Sequence, residues 1–398
     1  MPLRLEDFDV SPERGFLPDQ DPLTELPTGW EFLDQVGNEL PELIESGRIL
    51  TVAKTLPIPP PEAFDKIKER ERELRLIWKR YSHLQSAYVK IQDETKGPVV
   101  ICKNLAGPVC NVSELLDMPP ILQYAPYALW NWKRKDPLGP IVVDNLELIQ
   151  TFSRAPDQSW FILIHNDIEN KAGLAINSLW QNALGEMSPE TTLLNTNLSL
   201  DGVIATMKRM PEHTTPDTYD KIRKWIMFFH SVIYEGVGKY GGQPQTFPGQ
   251  TGAQTSFEQA VEAGLQMPPL DKNNRLAVFL MQMRGHMPKK HREFVDYLEN
   301  ISRVRDVVCE SAPYLIDLYD RCVEQLLEFL AIHYGYATFY IFKKTGQVIG
   351  TGGSPYLIQL RGRIEERWEK CFIRKRTEQD CEAFIDRQLK MVEELVAA

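Results

Sequence analysis

Long apolar runs are missing from this 398-residue chain. No stretch reaches the roughly 18 to 20 continuous apolar residues that a membrane-spanning helix requires. Excess positive charge is missing too. The 45 Lys and Arg are outnumbered by 55 Asp and Glu, for a formal net charge of -10, which argues against a broad surface for nucleic acid or anionic lipid. Cysteines are few. The six, at 102, 110, 309, 322, 371 and 381, form no Cys-x-x-Cys pair and no regular framework, so neither zinc, an iron-sulfur cluster nor a disulfide scaffold is signalled. The opening Met1 to Asp7 lacks the basic start and apolar core of a secretory leader. Neither a Gly-x-Gly-x-x-Gly fingerprint nor a P-loop is present, and the glycines between Tyr234 and Thr255 are too irregularly spaced for one. The expectation is a soluble, cytoplasmic monomer that meets neither nucleic acid nor membrane.

What is present is helical periodicity. The first thirty residues read as an extended arm lying on the body. Short helices are predicted from Trp30 and from Leu43, and Pro57 to Pro61 breaks the chain. A long amphipathic segment follows from Glu62 to about Asp93, and its charge run predicts a solvated face. Val99 to Cys102 is a short strand, and strand content is expected to end near Trp132. The polar loop Lys133 to Pro140 marks a joint, and nearly every segment beyond Gln150 has helical period. The predicted class is mainly α: a smaller N-terminal lobe of helix with minor strand (1–150) and a large all-helical bundle (151–398).

Four pieces of sequence carry candidate chemistry. His333 lies in an apolar run from Leu326 to Ile341, with Phe329, Leu330, Tyr336, Ala337 and Tyr340 at helical spacings around it. That flat surface suits a porphyrin face, and a neutral nitrogen there suits an axial iron ligand. A buried histidine bonded to a carbonyl is the competing reading. His165, with Glu169 four residues on, forms a metal half-site, a hydrogen-bonding group or a structural pair. Arg223 projects from a helix of Tyr219, Ile222 and Trp225, where a cation needs a carboxylate from the protein or from a ligand. The loops Phe247 to Ser256 and Gly350 to Ser354 set hydroxyl residues among glycines, which suits close backbone approach to a polar ligand or an ordinary turn.

Pieces spread along the chain resemble the indoleamine 2,3-dioxygenase family. They are Leu40-Pro-Glu-Leu-Ile-Glu-Ser-Gly47, Pro119-Pro-Ile-Leu-Gln-Tyr-Ala125, Trp130-Asn-Trp-Lys-Arg-Lys-Asp-Pro137, Ile233-Tyr-Glu-Gly236, Gly252-Ala-Gln-Thr-Ser256, Met283-Arg-Gly-His-Met-Pro-Lys-Lys-His-Arg292, His333 and Gly350-Thr-Gly-Gly-Ser-Pro355. They occur in the family's order over roughly residues 30 to 370. The resemblance implies a haem b enzyme that uses O2 and a reductant to cleave the indole C2–C3 bond of L-tryptophan, giving N-formylkynurenine in the kynurenine pathway.

Carried over by position, the resemblance makes His333 the proximal iron ligand and Arg223 the partner of the substrate carboxylate. It places Thr351 in a loop closing near the amino-acid end. Tyr124, Phe161, Ile162, Thr218, Tyr219, Gln250, Thr251 and Gly252 become lining of the distal pocket. His165 falls where relatives have serine or histidine, the latter able to hydrogen-bond the indole N–H. Three positions depart from the family pattern: Thr218 where phenylalanine is common, Leu330 where a basic residue often stands, and Gln250 with Thr251 where residues are smaller. They leave open a haem enzyme acting on another indole in secondary metabolism. A non-catalytic haem protein that binds O2 and a cofactor-free helical interaction protein are the readings from other classes.

Overall fold

The computed structural model describes residues 3–92, 94–271 and 274–397. Asp93, the predicted end of the long amphipathic segment, lies outside them, as do Met1 and Pro2 of the opening stretch. The fold is mainly α, as the periodicity predicts. Its spine is the 28-residue helix Pro156–Ala183, which starts on a proline and turns back through residues 184–188 into Pro189–Lys208. Ser188 caps that second helix by accepting from the Thr191 amide at 3.2 Å. Pro313–Tyr336 packs along Pro189–Lys208 and carries Tyr356–Cys371 and Glu378–Ala397 on its other flank. Ser256–Gly264 wedges between Pro156–Ala183 and Lys289–Ile301.

Strands do not end near Trp132. Val99–Ile101 pairs in parallel with Phe229–Tyr234, which pairs antiparallel with Gln245–Phe247. Helical period therefore fails beyond Gln150 at this strand: the helix Pro216–Ile226 stops at Ile226, and Phe229, Val232 and Tyr234 turn inward on the strand with a bulge between the first two. A two-residue ladder, Lys133–Arg134 with Leu146–Glu147, closes the polar loop. The apolar core is continuous across position 150, running from Leu5 in the arm to Val392 in the last helix. The arm does lie on the body, with Leu5, Phe8, Val10, Phe16 and Leu17 all buried.

The long charged segment breaks into Pro61–Ile67 and Glu71–Lys90. Its charges from Glu62 to Arg72 are exposed, as expected, but those further along the helix are not. Arg75, Lys79, Arg80 and His83 are all buried, because elements close on every side of this helix. Arg80 is neutralised by Asp34 at 3.0 Å and bonded to Gln150. Among the described residues no helix is long and apolar enough to cross a membrane, and the six cysteines are unpaired.

Candidate active site

Pro313–Tyr336 does not end cleanly. It runs into a π-helical turn, Ala337–Phe342, before Gly346 stops it in the left-handed region at φ +69°. Such wide turns recur where a helix must re-aim side chains toward a site. Here Phe329, His333, Tyr336, Ala337, Tyr340 and Ile341 form one wall of a large cavity, about 1360 Å³ including the open solvent at its mouth. Leu330 instead faces the core. The two tyrosine hydroxyls are consumed by backbone carbonyls, Tyr336 to Met207 at 3.1 Å and Tyr340 to Thr214 at 2.5 Å. Their rings are left as an apolar surface.

Phe161, His165 and Ile168 supply a further wall from Pro156–Ala183, at spacings that share a helix face. Ile162, one residue round from Phe161, is buried in the core and is not on the cavity wall. An aromatic chain links the two helices: His165 to Phe161 (ring centroids 4.8 Å), Phe161 to Tyr219 (5.0 Å) and Tyr219 to Tyr340 (6.0 Å). Tyr124 meets His165 edge-on at 6.0 Å.

The two histidines differ in what holds them. His165 Nδ1 lies 2.7 Å from the Phe161 carbonyl oxygen, so Nδ1 carries the hydrogen and Nε2 is left as an acceptor. Burial lowers its pKa, keeping the ring neutral at pH 7. His333 lines the same cavity, and no hydrogen bond to its ring is found among the described residues. Burial, aided by His165 and Arg363, pushes its pKa down to about 4. The competing reading of a histidine tied to a carbonyl therefore describes His165 and not His333.

His165 and Glu169 are not bonded to each other. Glu169, fully buried, accepts from the Tyr124 hydroxyl at 3.0 Å and from the Thr255 hydroxyl through one oxygen, and its other oxygen has no partner. Burial raises its pKa to about 7, and the carboxylate of Glu258 adds to the rise. A metal half-site finds no support, since no group of three or more candidate ligands occurs among the described residues.

The two glycine loops meet at the mouth. The Phe228 amide donates to the Thr351 carbonyl at 2.8 Å, and Gly249 is pressed against the same strap. A methyl at Gly249 would lie 2.3 Å from the Ile226 carbonyl oxygen and 2.5 Å from that of Thr351, so only glycine fits. Gln250, Thr251, Gly252 and Thr351 all line the cavity. A methyl at Gly252 would come 3.3 Å from His333 Cε1 and 4.0 Å from Nε2, so glycine there keeps space beside the imidazole.

Besides Ile162, two more residues expected to contact substrate stand off the wall. Thr218 takes part in the start of Pro216–Ile226, its amide donating to Thr215 and its hydroxyl to Asp157, and it is not on the cavity wall. Arg223 is buried beside the cavity, off its wall, donating to the Gln347 side chain and to the Ile349 carbonyl at 2.5 Å. No carboxylate among the described residues reaches its guanidinium. Tyr219, between them, does line the cavity.

Sequence reasoning missed Arg363 and Glu258. Both line the cavity, tied at 2.6 Å, and Arg363 also reaches Glu262 at 2.9 Å while Arg367 pairs with Glu262. Partners about a hundred residues apart leave no local pattern to detect. Taken together, a neutral unpartnered imidazole, a wall of aromatic faces and a glycine beside the ring fit a flat apolar macrocycle ligated by nitrogen.

Comparison with known proteins agrees with this chemistry. The family model described as indoleamine 2,3-dioxygenase matches residues 4–361. The chain is 30% identical to indoleamine 2,3-dioxygenase 1 of Rattus norvegicus, covering 86% of each. It is 28% identical to the indoleamine 2,3-dioxygenase of Saccharomyces cerevisiae over 85% of this chain and 80% of that one. An indoleamine 2,3-dioxygenase of Penicillium citrinum is 25% identical over 91% and 84%. With nearly its whole length matched, the chain belongs to the indoleamine 2,3-dioxygenase family of haem-dependent dioxygenases that act on indoles.

Proposed function

We propose that this protein cleaves the indole C2–C3 bond of L-tryptophan with O2, giving N-formylkynurenine, as a cytoplasmic monomer of the kynurenine pathway. The observation that carries the reading is the pairing of two neutral imidazoles on one apolar cavity, one tied at Nδ1 and the other without a partner. His333 holds the iron of haem b. Bound haem, kept ferrous by a cellular reductant, supplies the O2 site and the oxidative chemistry.

The residues of this chain bind and orient. His165 offers Nε2 as an acceptor to the indole N–H, since its Nδ1 hydrogen is already spent on Phe161. Phe161, Tyr219 and Tyr124 pack the ring system and exclude water. Gln250, Thr251, Gly252 and Thr351 close the mouth over the amino-acid end. Arg223 takes the substrate carboxylate by giving up Gln347 and the Ile349 carbonyl, an exchange favoured because a charge-assisted fork outweighs two neutral acceptors.

A second reading is favoured by one observation. Both terminal nitrogens of Arg223 are already engaged off the wall, with only Nε unpartnered, and Thr218 does not face the cavity. An indole lacking the carboxylate would leave that arrangement intact. One experiment separates them: visible spectra of haem-loaded protein with L-tryptophan and with carboxylate-free indoles, followed by product mass. A tryptophan-induced spectral change with a product 32 mass units heavier (about the mass of O2) supports the first reading. Turnover of the carboxylate-free indoles alone selects the second, and neither response refutes both.

A further inference from the structure

The helix Glu71–Lys90 buries an ammonium that the active site does not use. Lys79 is 1% exposed, and of its three donors one is placed, to the Trp130 carbonyl oxygen at 3.0 Å. Among the described residues no carboxylate lies within ion-pair distance of it. Its neighbour Arg80 takes Asp34, and burial with Arg80's charge lowers the Lys79 pKa well below normal. Placing an ammonium there without a counter-ion is unfavourable.

A second, much smaller pocket lies against this group, about 280 Å³ including the open solvent at its mouth. Arg72, Arg75 and Lys79 line it together, at spacings of three and four that bring them to one helix face. Gln20 and the prolines of the N-terminal arm form the opposite side, and Trp130 completes it. No acidic side chain lines it. Of the nearby carboxylates, Asp9 and Glu71 both pair with the same terminal nitrogen of Arg75, Nη2, leaving its Nε unpaired, and Asp21 pairs with Arg14 and Arg134. His291 and Lys290 stand behind Asp9 and Glu71. Two donors remain without acceptors, Arg75 Nε and the Trp130 indole N–H, and both are buried. Leaving buried donors unpaired is unfavourable.

We propose that this cavity is a binding site for a small oxyanion, a carboxylate or a phosphate, held by Lys79, Arg75 and Arg72 with the Trp130 N–H as a neutral donor. The anion supplies the missing counter-charge. The site is distinct from the large cavity but close to it in the chain: Trp130 caps the π-helical turn Ala125–Leu129, which begins right after the lining residue Tyr124.

The test is thermal melting of the haem-loaded protein with inorganic phosphate, acetate and succinate, each against chloride at matched ionic strength. A saturable rise in Tm with phosphate alone assigns a phosphate site, and one with acetate or succinate a carboxylate site. Arg72→Ala, at an exposed position, is expected to weaken the response about tenfold, the loss of one charge-assisted bond. Lys79→Met is expected to abolish it while folding normally, since an apolar chain of similar length relieves the buried charge. The proposal is overturned if Tm follows ionic strength alone, or if Arg72→Ala and Lys79→Met both answer the anion as the parent does. Should Lys79→Met not fold, Arg72→Ala decides by itself.

Discussion

Glu169→Gln isolates a buried carboxyl group beside the cavity that is held partly protonated near pH 7. The fold raises the Glu169 pKa from 4.5 to about 7, chiefly by burial. At about 1.4 kcal/mol per pH unit, that displacement corresponds to roughly 3 kcal/mol. The sign follows from where the proton sits. Between pH 4.5 and 7 the unfolded chain releases it while the folded chain keeps it, so stability is full below 4.5 and lost as pH rises through 7. The amide keeps an acceptor for Tyr124 and Thr255 but cannot ionise. The variant should therefore match the parent near pH 5 and lack its decline, ending up to roughly 3 kcal/mol more stable at pH 8. Denaturation midpoints of both proteins at pH 5, 6, 7 and 8 measure this, and subtracting the two curves cancels every other titrating group. Parallel curves across the range would refute the reasoning. Glu169→Ala is the control for packing, since it removes the acceptor and leaves a void, costing about 2–5 kcal/mol relative to Glu169→Gln at every pH.

Other outcomes follow from the same geometry. His333→Ala should leave a folded protein without the Soret band of ligated haem, and normal haem absorbance would remove the ligand assignment. His165→Ala should retain haem but turn over more slowly, by about 10- to 100-fold, the worth of one orienting hydrogen bond; loss of haem absorbance would contradict its role. Replacing Arg223 by Gln should raise KM for L-tryptophan and leave carboxylate-free indoles unaffected, as steady-state kinetics would report. Gly249→Ala should lower stability by about 3 kcal/mol or more, read as a fall in Tm, because backbone rather than side chain blocks the added methyl.

Helix-rich architecture, the His333 wall and the apolar face of Phe161 and His165 were legible because each rests on local periodicity, which reports how residues three and four apart share a face. The two glycine loops were legible as sites of close approach, and they do meet. Spacing went wrong where a partner lay far off in the chain. His165 and Glu169 share a face, yet one bonds its own helix backbone and the other turns to Tyr124 and Thr255. Ile162 shows the limit of a positional carry-over, since one step of about 100° along the helix moves a side chain from cavity to core.

By itself the amino-acid sequence determined the class of fold and the family and singled out His333 as the candidate iron ligand, since these depend on residue type, order and helical period. Only the tertiary structure decided which charges are buried. Arg75, Lys79 and Arg80 read as a solvated stripe until the N-terminal arm and the Trp130 segment close over them. It also decided that Arg223 rests on Gln347, and that Arg363 and Glu258 share the cavity. Burial and pairing depend on segments distant in the chain, and no local pattern encodes which of those will arrive.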